Sequence, residues 1–137
     1  MQNTLRILKK LNGNLIIIKG NHDSSEFLKF LIKNNYTLEN GRVKFEVHEV
    51  GLRLKFDHHE IFLTHYPMIF GKTKNQINLH GHIHDHSVPQ KENINVGIDS
   101  KDIDQFLNTT NLFGAPLSQN EVIQIIRAKH MIYLKNQ

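Results

Sequence analysis

The sequence predicts a mixed α/β fold, and three observations carry that class. Residues 14–20, NLIIIKG, form a short and almost wholly apolar run, the pattern of a strand buried on both faces of a parallel sheet. Segments with helical spacing flank it on both sides. Further along, alternation in Val43/Phe45/Val47 and in Leu52/Leu54/Phe56 marks half-buried strands. The order of strand and helix followed by β-rich sequence is that of a mixed α/β domain. The 137 residues, 39% hydrophobic and 22% charged, are enough for one ordinary domain, and residues 1–137 are expected to form a single one.

Each element has its own signal. Leu5, Leu8 and Leu11 recur at helical spacing and Gly13 follows as a stop, which predicts a helix over residues 4–11. After the apolar strand, DSSEFLKFLIKNN opens on Asp or Ser as cap, with Glu26 close behind. Phe27, Leu28, Leu31 and Ile32 then share one face, so a second helix is expected. GRVKFEVHEV, LRLKFD and EIFLTHYP read as strands parted by turns at Gly51 and at residues 57–59. QINLHGH reads as a strand running into a glycine turn, and NINVGI as one more. Beyond Asp99 the pattern weakens until Ser118-x-x-Glu121, a capping box ahead of Val122, Ile125 and Ile126. The tail HMIYLKNQ is expected to end as a short strand.

Composition narrows the function classes. No apolar run reaches 18 residues, so no transmembrane helix and no membrane partner is expected. MQNTLRILKKLNG lacks the long apolar region and small-residue cleavage site of a signal peptide. The absence of cysteine excludes disulfides and thiolate sites and fits a reducing compartment, so the expected location is cytoplasmic. The net charge of +4 is spread without a basic block or an aromatic stripe. That pattern argues against nucleic acid as a binding partner and leaves it only as a substrate.

The chemistry concentrates in histidine. Four of the ten histidines, His80, His82, His84 and His86, occupy every second position of LHGHIHDH. Three segments stand at strand ends: KGNHD, THYP and GHIH. In open α/β sheets the loops at the carboxyl ends of strands collect functional groups, so side chains from three strand ends are expected to converge. Neutral imidazoles with an amide carbonyl suit Mn, Fe, Zn or Ni. In an extended stretch His82 and His84 would point to the same side and serve two metals ~3.5–4 Å apart. Gly81 would turn the backbone tightly beneath them, and Asn21 would be held by the strand it follows. His48, His58, His59 and His130 read as ordinary surface or core histidines, and His86 as a solvated loop residue. His80 faces either the core or the layer supporting the site. Tyr66 and Pro67 read as structural, and Asp99 as a residue that shapes its loop.

GNHD, H-Y-P and GHIH, in that order, resemble the later motifs of the calcineurin-like metallophosphoesterases. LNGNLIIIKGNHD, LTHYPM, LHGHIHDH and NINVGID are similar, more narrowly, to a small bacterial and phage-type group of that superfamily, and the resemblance runs from about Thr4 to Asp99. It implies an α/β sandwich of two mixed β-sheets flanked by helices. It implies that Asn21, His65 and His82 ligate one metal and His84 another. His22 would be the acid that protonates the leaving oxygen or steadies the phosphate, and Asp23 would orient His22. The implied cofactor is a divalent transition metal, Mn²⁺ first, with Fe, Zn or Ni as alternatives. The implied function is hydrolysis of a phosphate mono- or diester by metal-activated water.

Family members begin with a strand bearing D-x-H and then G-D-x-x-D, which supply the remaining ligands, including a bridging carboxylate. The twenty residues before Asn21 contain neither Asp nor His. The expectation is therefore an N-terminally truncated sandwich: a shortened gene product, a misplaced start, or one half of a split protein. At most a mononuclear site is expected, with impaired activity. The alternative is a degenerate, non-catalytic domain of the same fold that binds a ligand or partner. The strand at residues 15–18 is expected to have an uncovered edge, which favours self-association or a partner chain.

Overall fold

A computed structural model describes residues 1–72, 74–107 and 113–135. The class is mixed α/β, with six strands in two sheets and four helices among the described residues. The chain divides into two compact units, Met1–Gly51 and Leu52–Gln137.

In the first unit, α1 (Gln2–Lys10), β1 (Leu15–Ile18), α2 (Ser25–Lys33) and β2 (Phe45–His48) follow in order. β1 and β2 run parallel, with Leu15 opposite Phe45 and Ile18 opposite His48. Leu5, Leu31 and Phe45 form the core, and Leu15 and Ile17 pack against it. α2 starts where Ser24 Oγ accepts from Phe27 N–H at 3.1 Å. A cap of this kind contributes about 1 kcal/mol. Lys44 is buried to 1% exposure, and its ammonium donates to the carbonyls of Leu11 and Gly13 just past the end of α1. Carbonyls at that end of a helix carry partial negative charge, which favours a cation there.

Strand β1 corrects one expectation. Its partner among the described strands is β2 alone, and Ile16 is 42% exposed. The alternation of a strand sends Leu15 and Ile17 inward and turns Ile16 out, so β1 is not buried on both faces.

In the second unit the strands β3 (Gly51–Phe56), β4 (His59–Thr64), β5 (Gln76–His80) and β6 (Asn93–Asn95) lie side by side in that order. Asp57 (φ 47°) and His58 (φ 60°) make the two-residue turn between β3 and β4, with the left-handed pair a type I′ hairpin requires. β4, β5 and β6 are mutually parallel. This sheet is mixed and the first is a parallel pair, so the expectation of two mixed sheets holds for one. Ile61, Ile77, Leu79 and Ile94 line one face of it. The helix α4 (Gln119–Lys135) covers that face with Val122, Ile125 and Ile126, each worth roughly 1.5–3 kcal/mol when fully buried. The capping box forms as the sequence predicts: Ser118 N–H donates to Glu121 Oε2 at 2.7 Å, and Glu121 N–H to Ser118 Oγ at 3.3 Å.

Two elements differ from expectation. Residues 130–135 continue α4 instead of forming a terminal strand. The strand preference of Ile132 and Tyr133 is outweighed by helix nucleated upstream and by the helix-forming Met131 and Leu134, and Met131, Ile132 and Leu134 are exposed. Residues after Asp99 hold a short helix, α3 (Lys101–Phe106), capped by Ser100 with Asp102 and Asp104 in its first turn. Ser followed by acidic residues is a start signal the sequence carried.

Candidate metal centre

The parallel register of β4 and β5 builds the site. Leu63 stands opposite Leu79, and two residues further Gly81 N–H donates to His65 O at 3.2 Å. The carboxyl ends of the two strands are thereby stitched together, and the side chains just beyond them meet. His65 Nε2 lies 3.0 Å from His82 Nδ1, with the rings tilted at 68°. The Tyr66 ring packs edge-on against both, at 4.5 Å from His82 and 4.9 Å from His65 between centroids. Tyr66 thus packs within the His65–His82 cluster, in the structural role the sequence suggested.

A buried polar face supports these loops. On β5 and β6 the residues that alternate with the core are Asn78, His80, Asn93 and Asn95, all buried. Asn78 Oδ1 accepts from Met68 N–H at 2.8 Å, and Asn93 Nδ2 donates to Met68 O at 2.8 Å, which fixes the segment after His65. Asn95 Nδ2 donates to His84 O at 2.7 Å and to His86 O at 2.9 Å, which fixes the histidine loop. Asn95 is held in turn by its own N–H to Asp102 Oδ2 at 2.8 Å, and Asp102 pairs with Lys129 Nζ at 3.2 Å. Asp102 and Lys129 are 0% and 3% exposed in their side chains, so the pair is fully interior. Sequence reasoning missed this chain of contacts, because no spacing rule links positions 95, 102 and 129.

His80 belongs to the same layer. It is 1% exposed, its Nδ1–H faces Gly81 O at 2.9 Å, and its Nε2 is buried without a protein partner among the described residues. Burial holds its pKa below the usual imidazole value, against the pull of the Gly81 carbonyl and Asp102. It stands as a neutral supporting residue.

The GHIH segment is not extended. His82 (φ 69°) and His84 (φ 51°) both adopt left-handed backbone, Ile83 N–H donates to Gly81 O at 2.9 Å, and His86 N–H to Ile83 O at 3.0 Å. The expected same-side pairing of His82 and His84 fails with the extended backbone it needed. His82 turns to His65 and Tyr66, whereas His84, 80% exposed, places Nδ1 3.4 Å from Asp99 Oδ2. Gly81 is not where the chain takes left-handed torsion either, and a Cβ there would meet open space. Non-glycine residues in this region are uncommon and cost roughly 1–2 kcal/mol, and they cluster at functional sites. His86 contacts Asp85 at 3.0 Å on the exposed loop, as the sequence suggested.

Asn21, His22 and Asp23 lie in the first unit, on the turn that follows β1. Gly20 N–H donates to Asp23 Oδ2 at 2.8 Å and Asp23 N–H returns to Gly20 O at 3.2 Å. Asp23 thus holds the turn that carries Asn21 and His22, and both of these are exposed.

The donor set can be compared with what a transition ion needs. Two nitrogens bound at right angles to one ion at ~2.1 Å lie about 3 Å apart, the spacing of the His65–His82 pair. Among the described residues no group of three or more His, Cys, Asp or Glu side chains is placed to hold a metal. As the structure stands, the His65–His82 approach is a ring-to-ring hydrogen bond, one imidazole N–H donating to the other ring's nitrogen. No family model matches the chain, and no curated protein or solved structure matches it.

Proposed function

We propose that the chain is a domain of the calcineurin-like metallophosphoesterase type, with the sandwich fold of that superfamily. Its histidine loops hold one divalent transition ion, Mn²⁺ first, and it hydrolyses a phosphate mono- or diester slowly. The observation that carries this reading is the 3.0 Å approach of His65 and His82. These residues come from THYP and GHIH, two of the motifs on which the resemblance rests. A bound ion would activate water and neutralise charge on the phosphoryl group. The chain's own residues supply the rest. His65 and His82 offer the ring nitrogens, Tyr66 fixes the plane of the His82 ring, and Asn95 keeps the loop from relaxing. The resemblance assigns His22 the proton delivered to the leaving oxygen. We place the domain in the cytoplasm; among the described residues no helix is long and apolar enough to cross a membrane.

A second reading, a binding module without turnover, is favoured by the lack of a three-residue ligand cluster among the described residues. Hydrolysis of an aryl phosphodiester with Mn²⁺ separates the two. The enzyme reading predicts turnover that falls at least about tenfold in His82→Ala and in His22→Ala. Turnover unchanged by both substitutions would assign the activity elsewhere, and metal binding without turnover would favour the module.

A further inference from the structure

The second unit carries another cluster of histidines, at the end of the sheet opposite His65. β4 and β5 begin there, with Glu60 opposite Gln76, and the residues leading into β5 and β6 arrive at the same edge. A cleft of about 510 Å³ is lined by Lys55, Phe56, His58, His59, Glu60 and Asn75. A second hollow of about 220 Å³ shares His59 and Asn75 and adds Lys74, Lys91, Glu92 and His130. His59 and Asn75 form the wall common to both, and the His59 ring lies 6.4 Å from that of His130.

The charges of this edge are unevenly spent. The Glu60 carboxylate is taken by Arg53 at 2.8 Å and by Gln76 at 3.1 Å. The Asp57 carboxylate beside the cleft is taken by Arg127 at 2.9 Å. Among the described residues Lys55, Lys74 and Lys91 enter no ion pair. Glu92 is the one carboxylate of the lining without such a bond among the described residues, against three lysines. His59 Nδ1 is buried without a hydrogen-bond partner, 4.0 Å from Asp57 Oδ2. Unpaired cations beside a concave wall of Phe56 and imidazole rings are what an anionic, partly aromatic ligand requires.

We propose that this cleft binds a phosphorylated small molecule. The phosphate lies among Lys74, Lys91 and His59, and the remainder of the ligand lies toward Phe56 and His58. The site is separate from the His65–His82 pair and does not rest on the phosphoesterase reading.

The test is a titration of the full chain with inorganic pyrophosphate, followed by the NMR signals of the histidine rings at fixed pH. Saturable shifts at His59 and His130 are expected, with His65 and His82 unmoved. Lys74→Gln and Lys91→Gln should each weaken binding about three- to tenfold, the range for losing one charged contact at a partly exposed site. The cation-preserving Lys74→Arg should retain it. Shifts confined to His65 and His82, or shifts at His59 that persist undiminished when both lysines are replaced, would overturn the proposal. So would the absence of any saturable shift.

Discussion

The ammonium of Lys129, 2% exposed, sits among Ser87 Oγ, Val88 O, Asn93 O and both carboxylate oxygens of Asp102. Burial pulls its pKa below the usual lysine value, and Asp102 opposes that shift. Removing one member of a buried pair strands the other, which costs about 3–5 kcal/mol. Lys129→Met is therefore expected to lower unfolding stability by that amount in a urea titration. The double variant with Asp102→Asn should lose less than the sum of the two singles, because both act on one contact. A loss below about 1 kcal/mol for Lys129→Met would show that the pair is not closed. Two buried imidazoles contribute to the response to acid. Burial lowers the pKa of both His80 and His130. The native state then binds fewer protons than the unfolded state below about pH 6.5, so stability is complete above that value and falls as pH drops toward the lowered native pKa values. Thermal melts between about pH 7.5 and about pH 5 should show this decline. His130→Phe should flatten part of it, and a melting temperature that rises on acidification would contradict the assignment.

At the scale of elements, the left-handed histidines of the hairpin turn and of the GHIH loop have different reasons. His58 at φ 60° serves only a hairpin turn, where glycine adopts the same torsion without strain. His58→Gly is expected to be neutral or stabilising by up to about 1 kcal/mol. His82 at φ 69° takes the same strain and is held in it by its loop. Asn95→Ala removes the two hydrogen bonds that clamp the loop, to His84 O and His86 O. It should speed hydrogen exchange across residues 83–87 while leaving β4 protected; unchanged exchange would show that the loop is held by other contacts.

These contrasts also explain what the sequence disclosed. Strands β2 to β6 and the capping box at Ser118 were legible because alternation and cap chemistry are local. The meeting of THYP with GHIH was legible because parallel strands align their ends. The left-handed torsions were not, because Gly81 drew the turn to itself while His82 and His84 carry it. The Lys129–Asp102 pair was not, because tertiary burial leaves no mark on residues 27 apart. The tail misled because Ile132 and Tyr133 favour strands, while helix propagation from Gln119 decides.

At the scale of the molecule, β1 pairs with β2 alone among the described strands, and its Ile16 is exposed. A strand edge with unpaired N–H and C=O groups invites another strand. We propose that the chain self-associates or takes a partner chain along this edge. Light scattering is expected to give a mass above that of a 16.0 kDa monomer. Ile16→Lys should return the monomer, since a charge on an edge strand disfavours pairing. A cooperative monomer unaffected by the substitution would show that the edge needs no partner.

We propose that His65 and His82 form the nucleus of a transition-metal centre, which Mn²⁺ binding can decide. Calorimetric titration of the full chain, supported by elemental analysis, is expected to give at most one ion per chain. Affinity should fall on acidification, because protons compete with the ion for the imidazole nitrogens. His65→Ala and His82→Ala should each abolish binding, and His86→Ala should leave it intact. Two tightly bound ions per chain, or binding that survives His82→Ala, would rule this centre out.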